Sequence, residues 1–342
     1  MIAERSLMHC EAADAPAVVA AQLARAADDI EPLARRLRAA SPHIVATCAR
    51  GSSDHAATFA KYLIETRLGI PVASAPPSTS SIYHITPKLA DALWIAISQS
   101  GKSPDLLAAS RAAAGVGART VGLINTPGAP LSDVVDTVIP IGAGAELSVA
   151  ATKSYIATLS ALANLVARWS GDRALADELV SMPEKLAAAW ELDWSPLADG
   201  LAEARGLYVI GRGPGLGIAQ EAALKFKETC GLHAEAFSAA EVRHGPMALI
   251  GPDFPLLVFR QSDQSAEGID RLVTEVRGRG GRVYVVGGAA PETIGLPTVG
   301  SHPALEPILQ IQSFYRAVNA LAIQRGHDPD NPRHLRKVTE TV

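Results

Sequence analysis

Short apolar runs bounded by Gly or Ser alternate with helix-period segments along this chain, and they do so in two successive rounds. In the first half the runs are HIVATCA (43–49), IPVASA (70–75), ALWIAIS (92–98), RTVGLIN (119–125) and VIPIG (138–142). In the second half LYVIGRG (207–213), PLLVFRQ (255–261) and RVYVVGG (282–288) repeat the theme. Strands separated by helices give a parallel sheet with helices on both faces. The halves also echo each other locally. RGSSDHAATFAKYLIE (50–65) resembles RGPGLGIAQEAALKFKE (212–228) with one residue inserted, and ISQSGKS (97–103) parallels FRQSDQS (259–265). The pattern therefore predicts a duplicated, doubly wound α/β domain. Its expected parts are an N-terminal helical segment (1–40), a first domain (41–170), a polar linker (171–196), a second domain (197–326) and a tail (327–342). In open parallel sheets ligands bind beyond the carboxyl ends of the strands at the topological switch point, which directs attention to the post-strand loops and the tail.

Charge and composition remove several classes of function. Lys plus Arg number 31 against 35 Asp plus Glu, and no basic run is interleaved with aromatics, so nucleic acid is not an expected partner. The Ala-rich N-terminus is broken by Glu11, Asp14, Arg25, Asp28 and Asp29, and no stretch reaches the ~18 apolar residues of a membrane span. A cytoplasmic protein with no membrane partner is expected. Cys10, Cys48 and Cys230 lack disulfide or zinc spacing and read as core or incidental thiols; neither a metal nor a cofactor is expected.

RGSSDH (50–55) and SQSGKSPD (98–105) each follow a strand and open a helix. Ser52, Ser53, Ser98, Ser100 and Ser103 add hydroxyls to backbone N–H groups at helix N-termini, and Gly51 and Gly101 allow close approach of a ligand, so the two loops suit an anion. Ordinary helix capping by serine accounts for either loop alone. A Gly-x4-Gly-Lys-Ser/Thr run is absent, which favours a phosphomonoester over a nucleoside triphosphate. GRGPGLG (211–217) looks like a dinucleotide turn, but Pro214 removes a donor and no acid stands ready for a ribose. The helix it opens carries Glu221, Lys225 and Glu228 on one side. That row is either a catalytic cluster, with the glycines letting the helix approach a ligand, or a solvated run of salt bridges.

SQSGKSPDLLAASR (98–111), GAELSVAATKSYIATL (144–159), EAALKFKETCGLHAEAFSAAEVRHGPMALI (221–250) and NPRHLRKVTETV (331–342) closely resemble the tandem sugar isomerase (SIS) domain family. Within it they are similar to the isomerase half of glucosamine-6-phosphate synthase and to stand-alone amino-sugar-phosphate deaminases. The resemblance covers nearly the whole chain and implies α/β architecture with two doubly wound parallel-sheet (flavodoxin-like) SIS domains in tandem. It implies that Glu228 moves a proton between C1 and C2 of the sugar, that Lys225 assists at the adjacent oxygen and that Glu221 holds the lysine. It further implies that His244 opens the ring across a homodimer interface and that Lys337, by itself a solvated charge near the C-terminus, forms a Schiff base. Gly51, Ser52, Ser53, Ser98, Gln99, Ser100, Ser103 and Val149 are the implied binding residues for a hexosamine or hexose 6-phosphate.

Departures from the synthase pattern fall at His334 and Arg336 in the tail, at Lys102 in place of Glu and at Arg50 in place of Cys. The synthase's N-terminal Cys-Gly-Ile is not seen in this sequence. The expected reaction is therefore hydrolysis of glucosamine 6-phosphate to fructose 6-phosphate and ammonia. Another keto-aldose isomerase, a fructosamine-6-phosphate deglycase and a sugar-phosphate sensor remain as alternatives.

Overall fold

A computed structural model describes residues 5–288 and 290–337. Two parallel sheets account for the two rounds of apolar runs. The first holds β1 (Val45–Cys48), β2 (Val72–Ser74), β3 (Leu93–Ser98), β4 (Arg119–Ile124) and β5 (Thr137–Pro140) in the order β2-β1-β3-β4-β5. The second holds β6 (Gly206–Gly211), β7 (His233–Ser238), β8 (Pro255–Phe259), β9 (Arg282–Val286) and β10 (Ile294–Leu296) in the order β10-β9-β8-β6-β7. Read from its other end, the second order is the same permutation as the first, so both sheets are doubly wound, with a switch point between the first and third strands. Central strands are buried along their length, as β3 shows with all of Leu93–Ser98 buried, because helices cover both faces of a parallel sheet.

By their contacts the residues form two compact units. Of the described residues, one unit comprises 17–146, 153–181 and 336–337 and contains the first sheet; the other comprises those within 5–16, 147–152 and 182–335 and contains the second. Among the described residues no helix is long and apolar enough to cross a membrane.

Two regions differ from the expectation. The segment read as a polar linker carries the helices Arg173–Leu179 and Met182–Trp190. Leu175, Leu179, Met182, Leu186 and Ala189 recur at helical spacing and are buried. Polar residues hid that stripe, and Pro183, which lies in the first turn of the second helix, interrupts nothing. Strands β7 and β10 carried no clear signal. In β7 only Ala234 is buried, and β10 spans three residues, of which only Leu296 is buried; edge strands of this kind lack an apolar pattern.

Candidate active site

The catalytic candidates of the second sheet's unit lie on the helix Gly215–Cys230, which follows β6. A Cβ on Gly211 would stand 2.2 Å from the Gly215 carbonyl oxygen, and one on Gly215 would stand 2.3 Å from Gln261 Oε1. Gly211 and Gly215 thus let the helix start pack against its own strand and the loop after β8. At the other end Gly231 takes a left-handed φ of 57°, a conformation glycine adopts without a Cβ penalty. Arg325 donates from Nε to the Cys230 carbonyl at 3.0 Å. Phe226 packs edge-on against Phe314 of the helix Glu306–Gln324, with ring centroids 5.1 Å apart.

The face so fixed is charged and buried. Lys225 is 1% exposed and its Nζ lies 3.1 Å from Glu221 Oε1, itself 0% exposed, and 2.6 Å from Glu228 Oε2. Tyr315 donates its hydroxyl to Glu221 Oε1 at 3.2 Å. A solvated row of salt bridges is thereby excluded, since two of the three charges have left water. Burial alone pulls the Lys225 pKa down. The charges of Glu221 and Glu228, with hydrogen bonds to both, outweigh it and hold the ammonium above the ordinary lysine value. Lys225 is accordingly a fixed cation. Glu228 is the member that meets solvent, its side chain 19% exposed; Oε2 is bound to Lys225, while Oε1 has no hydrogen bond among the described residues. Tyr315 was not foreseen, and its 94-residue separation from Glu221 leaves no local trace.

His244 is exposed, on the turn that follows the short 3-10 helix Glu241–Arg243. Val149 belongs to the same unit, where its N–H donates to the Asp330 carbonyl at 3.3 Å. Asp330 also accepts from the N–H groups of Leu7 and Met8, both at 2.7 Å. These are two orphan donors at the start of the helix Leu7–Ala13. Glu11 from that helix binds the N–H groups of Leu147 and Ser148. The backbone before Val149 is therefore gripped from two sides.

In the first sheet's unit the two serine loops leave the adjacent strands β1 and β3. Gly51, at φ 53°, opens the helix Ser52–Leu68, and Ser103 opens the helix Pro104–Gly115; neither N-cap makes a side-chain capping bond. Ser103 therefore does not cap its helix through its hydroxyl, and Gly51 has no side chain with which to do so. Ser98 Oγ accepts from the Gly101 N–H at 2.9 Å and shapes the turn. Gly101, at φ 61°, packs so closely that a Cβ there would lie 2.7 Å from Ala129 Cβ. Gln99 is held through its carbonyl, which accepts from the Thr126 N–H at 3.1 Å. Ser52, Ser53 and Ser100 are half-buried.

Arg50 joins the two loops. Its Nε and Nη2 donate to Oδ2 of the buried Asp105 at 3.2 and 2.9 Å, and Asp105 Oδ1 accepts from the Leu106 N–H at 2.8 Å. The guanidinium that replaces the synthase's Cys is therefore an internal clamp. Burial next to the Asp105 charge pushes the Cys48 thiol up to about 12, so Cys48 is inert at neutral pH.

Lys337 also belongs to this unit, with Nζ 3.4 Å from Glu146 Oε2. Glu146 is buried and accepts from Ser154 through both its N–H and its hydroxyl, at 3.2 and 2.6 Å. Asn125 braces the approach to Glu146 by donating to the Gly144 carbonyl and accepting from the Ala143 N–H, each at 2.8 Å. Nothing in the sequence around Glu146 marks it as a partner of Lys337, 191 residues away. No group of three or more metal-ligating side chains occurs among the described residues.

The SIS domain family profile matches residues 39–168 and 200–296. Glutamine–fructose-6-phosphate aminotransferase [isomerizing] of Thermus thermophilus is 34% identical over 319 residues, covering 86% of this chain and 51% of that protein. The same enzyme of Aeropyrum pernix is 35% identical over 316 residues, covering 85% and 50%. The chain thus spans about half the length of these curated relatives. A Silicibacter pomeroyi DSS-3 protein, provisionally described as a phosphosugar isomerase, superposes with a TM-score of 0.91 at 41% identity, covering 95% of this chain and all of that one. A glucosamine-6-phosphate deaminase of Thermotoga maritima shares the fold, with a TM-score of 0.78 at 22% identity over 98% of this chain and 100% of that chain. Two matched segments, each containing one five-stranded parallel sheet, make the chain a member of the SIS domain family, with two such domains in tandem and homology to the isomerase domain of those aminotransferases.

Proposed function

We propose that the protein is an amino-sugar phosphate deaminase/isomerase that converts glucosamine 6-phosphate and water to fructose 6-phosphate and ammonia. The reaction needs an open-chain sugar, removal of the C2 proton, delivery of a proton to C1, and hydrolysis of the resulting imine at C2. A carboxylate suits the transfer between adjacent carbons. The observation that carries the reading is Glu228, whose Oε2 is fixed by the buried Lys225 ammonium at 2.6 Å while the side chain stays partly open to solvent. Fixing one oxygen orients the other, and orientation is a large part of what an enzyme adds to proton transfer. A permanently charged Lys225 beside it stabilises negative charge developing on a neighbouring substrate oxygen, while Glu221, braced by Tyr315, keeps the ammonium in place.

In this reading Ser52, Ser53, Ser98, Ser100 and Ser103, with Gly51 and Gln99, bind the phosphate, and Val149 contacts the substrate. Lys337, positioned by Glu146 and acting as its neutral amine, adds to C2 of the imine and displaces ammonia to leave a Schiff base, which water hydrolyses to the ketose and free lysine, and the exposed His244 of a second copy in a homodimer assists ring opening. The test is ammonia release from glucosamine 6-phosphate, measured beside galactosamine 6-phosphate and a glucoselysine-type phosphate. Preferential release of ammonia and fructose 6-phosphate from the first supports the proposal. Amino-acid release from the third alone moves the assignment to a deglycase. Tight binding of a hexose phosphate with no turnover moves it to a sensor.

A further inference from the structure

The duplicated topology supplies a second switch point, and a cavity of about 280 Å³ lies there. Its lining lies beyond the carboxyl ends of three strands: Arg212 in the loop after β6, Arg243 in the short 3-10 helix after β7, Gln264 and Ser265 in the loop after β8, and Glu267 and Arg271 in the helix Ala266–Gly278 that this loop opens. By the internal repeat, Arg212 corresponds to Arg50, Gln264 to Lys102, Ser265 to Ser103 and Glu267 to Asp105. The cavity is therefore the counterpart of the serine-loop site of the first sheet, with one change in wiring. Arg50 is locked to Asp105, whereas Arg212 makes no ion pair among the described residues and has only a 3.5 Å contact with Ser238 Oγ. Glu267 pairs instead with Arg271. Arg243 is held by Glu275 Oε2 at 3.0 Å and by the Ala239 carbonyl at 3.2 Å. Three arginines against one glutamate leave the lining cationic. Ser265 Oγ is engaged by Asp263, so the attraction for a ligand rests on the guanidinium groups.

From this we infer that the second switch-point cavity binds a phosphate monoester of a small metabolite, as a site separate from the serine loops. A monoester carries about −1.5 to −2 charge at neutral pH with three acceptor oxygens, which matches forked arginine donors. The cavity volume lies near the lower end of the ~300–1,000 Å³ typical of small-molecule sites, which suits a hexose phosphate and is too small for a dinucleotide. The inference does not depend on the deaminase reading, since it concerns binding at residues to which that reading gives no role.

Equilibrium dialysis of the full chain against labelled glucose 6-phosphate and labelled inorganic phosphate tests it. The double variant Ser98→Ala/Ser100→Ala removes the serine-loop contribution and leaves one bound glucose 6-phosphate per chain. Adding Arg212→Gln and Arg271→Gln, both at exposed positions, weakens that remaining binding by about tenfold or more with an unchanged melting temperature. Residual binding that ignores the two arginine substitutions overturns the inference. So does loss of all binding in the serine double variant when the wild type binds one equivalent. Inorganic phosphate that binds as tightly as glucose 6-phosphate overturns the assignment to an organic monoester.

Discussion

The two sheets share one strand order, yet their chemistry is placed in different parts of the fold. Around the first sheet the polar groups sit in loops, where serines crown two helices and Arg50 binds Asp105 across the loops. Around the second sheet the loop after β6 is glycine-rich, and the charges lie about two to four turns into the helix, with Glu221 and Lys225 out of water. Duplication thus keeps the places where chemistry can be put and leaves the chemistry itself free to diverge. A loop of hydroxyls at helix N-termini suits a finished anion such as a phosphate. A buried cation between two carboxylates suits the placement of a proton-transferring group, because in a low-dielectric setting each charge fixes the next.

The contrast breaks most readily at Lys225. Lys225→Met removes the cation that neutralises the buried Glu221, and the expected loss is ~3–5 kcal/mol of stability, read by urea denaturation. Adding Glu221→Gln should recover part of it, because the stranded charge is then gone. Lys225 has a raised folded-state pKa, so its contribution is fully present below the unfolded lysine value of ~10.4 and fades only as pH rises through the higher folded value. Within about pH 6 to 9 the penalty should change only through Glu221, shrinking toward low pH as that carboxylate, deprived of its cation, takes up a proton.

The serine loops make the complementary case. Ser98→Ala/Ser100→Ala should raise KM for a phosphorylated sugar by ~1.5–3 kcal/mol for each hydrogen bond to phosphate that is lost, with kcat little changed. An unaltered KM in a folded double variant removes phosphate from these loops. The smallest effect compares the two repeat-related arginines by thermal denaturation. Arg50→Gln weakens a clamp whose guanidinium is half exposed, costing about 1 kcal/mol, whereas Arg212→Gln breaks no ion pair and should fall within ~0.5 kcal/mol of wild type. Equal costs would mean that the two switch points are wired alike.

The parts legible in the sequence are those encoded by local periodicity. Buried strands such as β3 read directly as apolar runs, and the spacing of Glu221, Lys225 and Glu228 placed them on one helical side. Their burial was not legible, because i, i+4 and i+7 charges on a helix spell a solvated face unless a distant element covers them. The Glu306–Gln324 helix supplies that cover, with Tyr315 on Glu221 and Phe314 against Phe226. The clamps were hidden for the same reason: Arg50 and Asp105 are 55 residues apart, and Glu146 and Lys337 are 191 apart. Pairings over such distances are set by topology, which a single strand or loop does not specify. The unexpected helices at 173–190 are the opposite case, since their apolar stripe was present in the sequence and polar neighbours masked it.

Solvent exchange at C2 separates proton transfer by Glu228 from transfer by any other group. Wild-type protein incubated with glucosamine 6-phosphate in deuterated water should incorporate deuterium at the transferred position of the fructose 6-phosphate formed. Glu228→Gln preserves shape and one hydrogen bond to Lys225 but removes the base, so turnover and exchange should both fall by ~10²–10⁴ while binding of the sugar phosphate persists. Exchange at the wild-type rate in a folded Glu228→Gln protein would contradict the account.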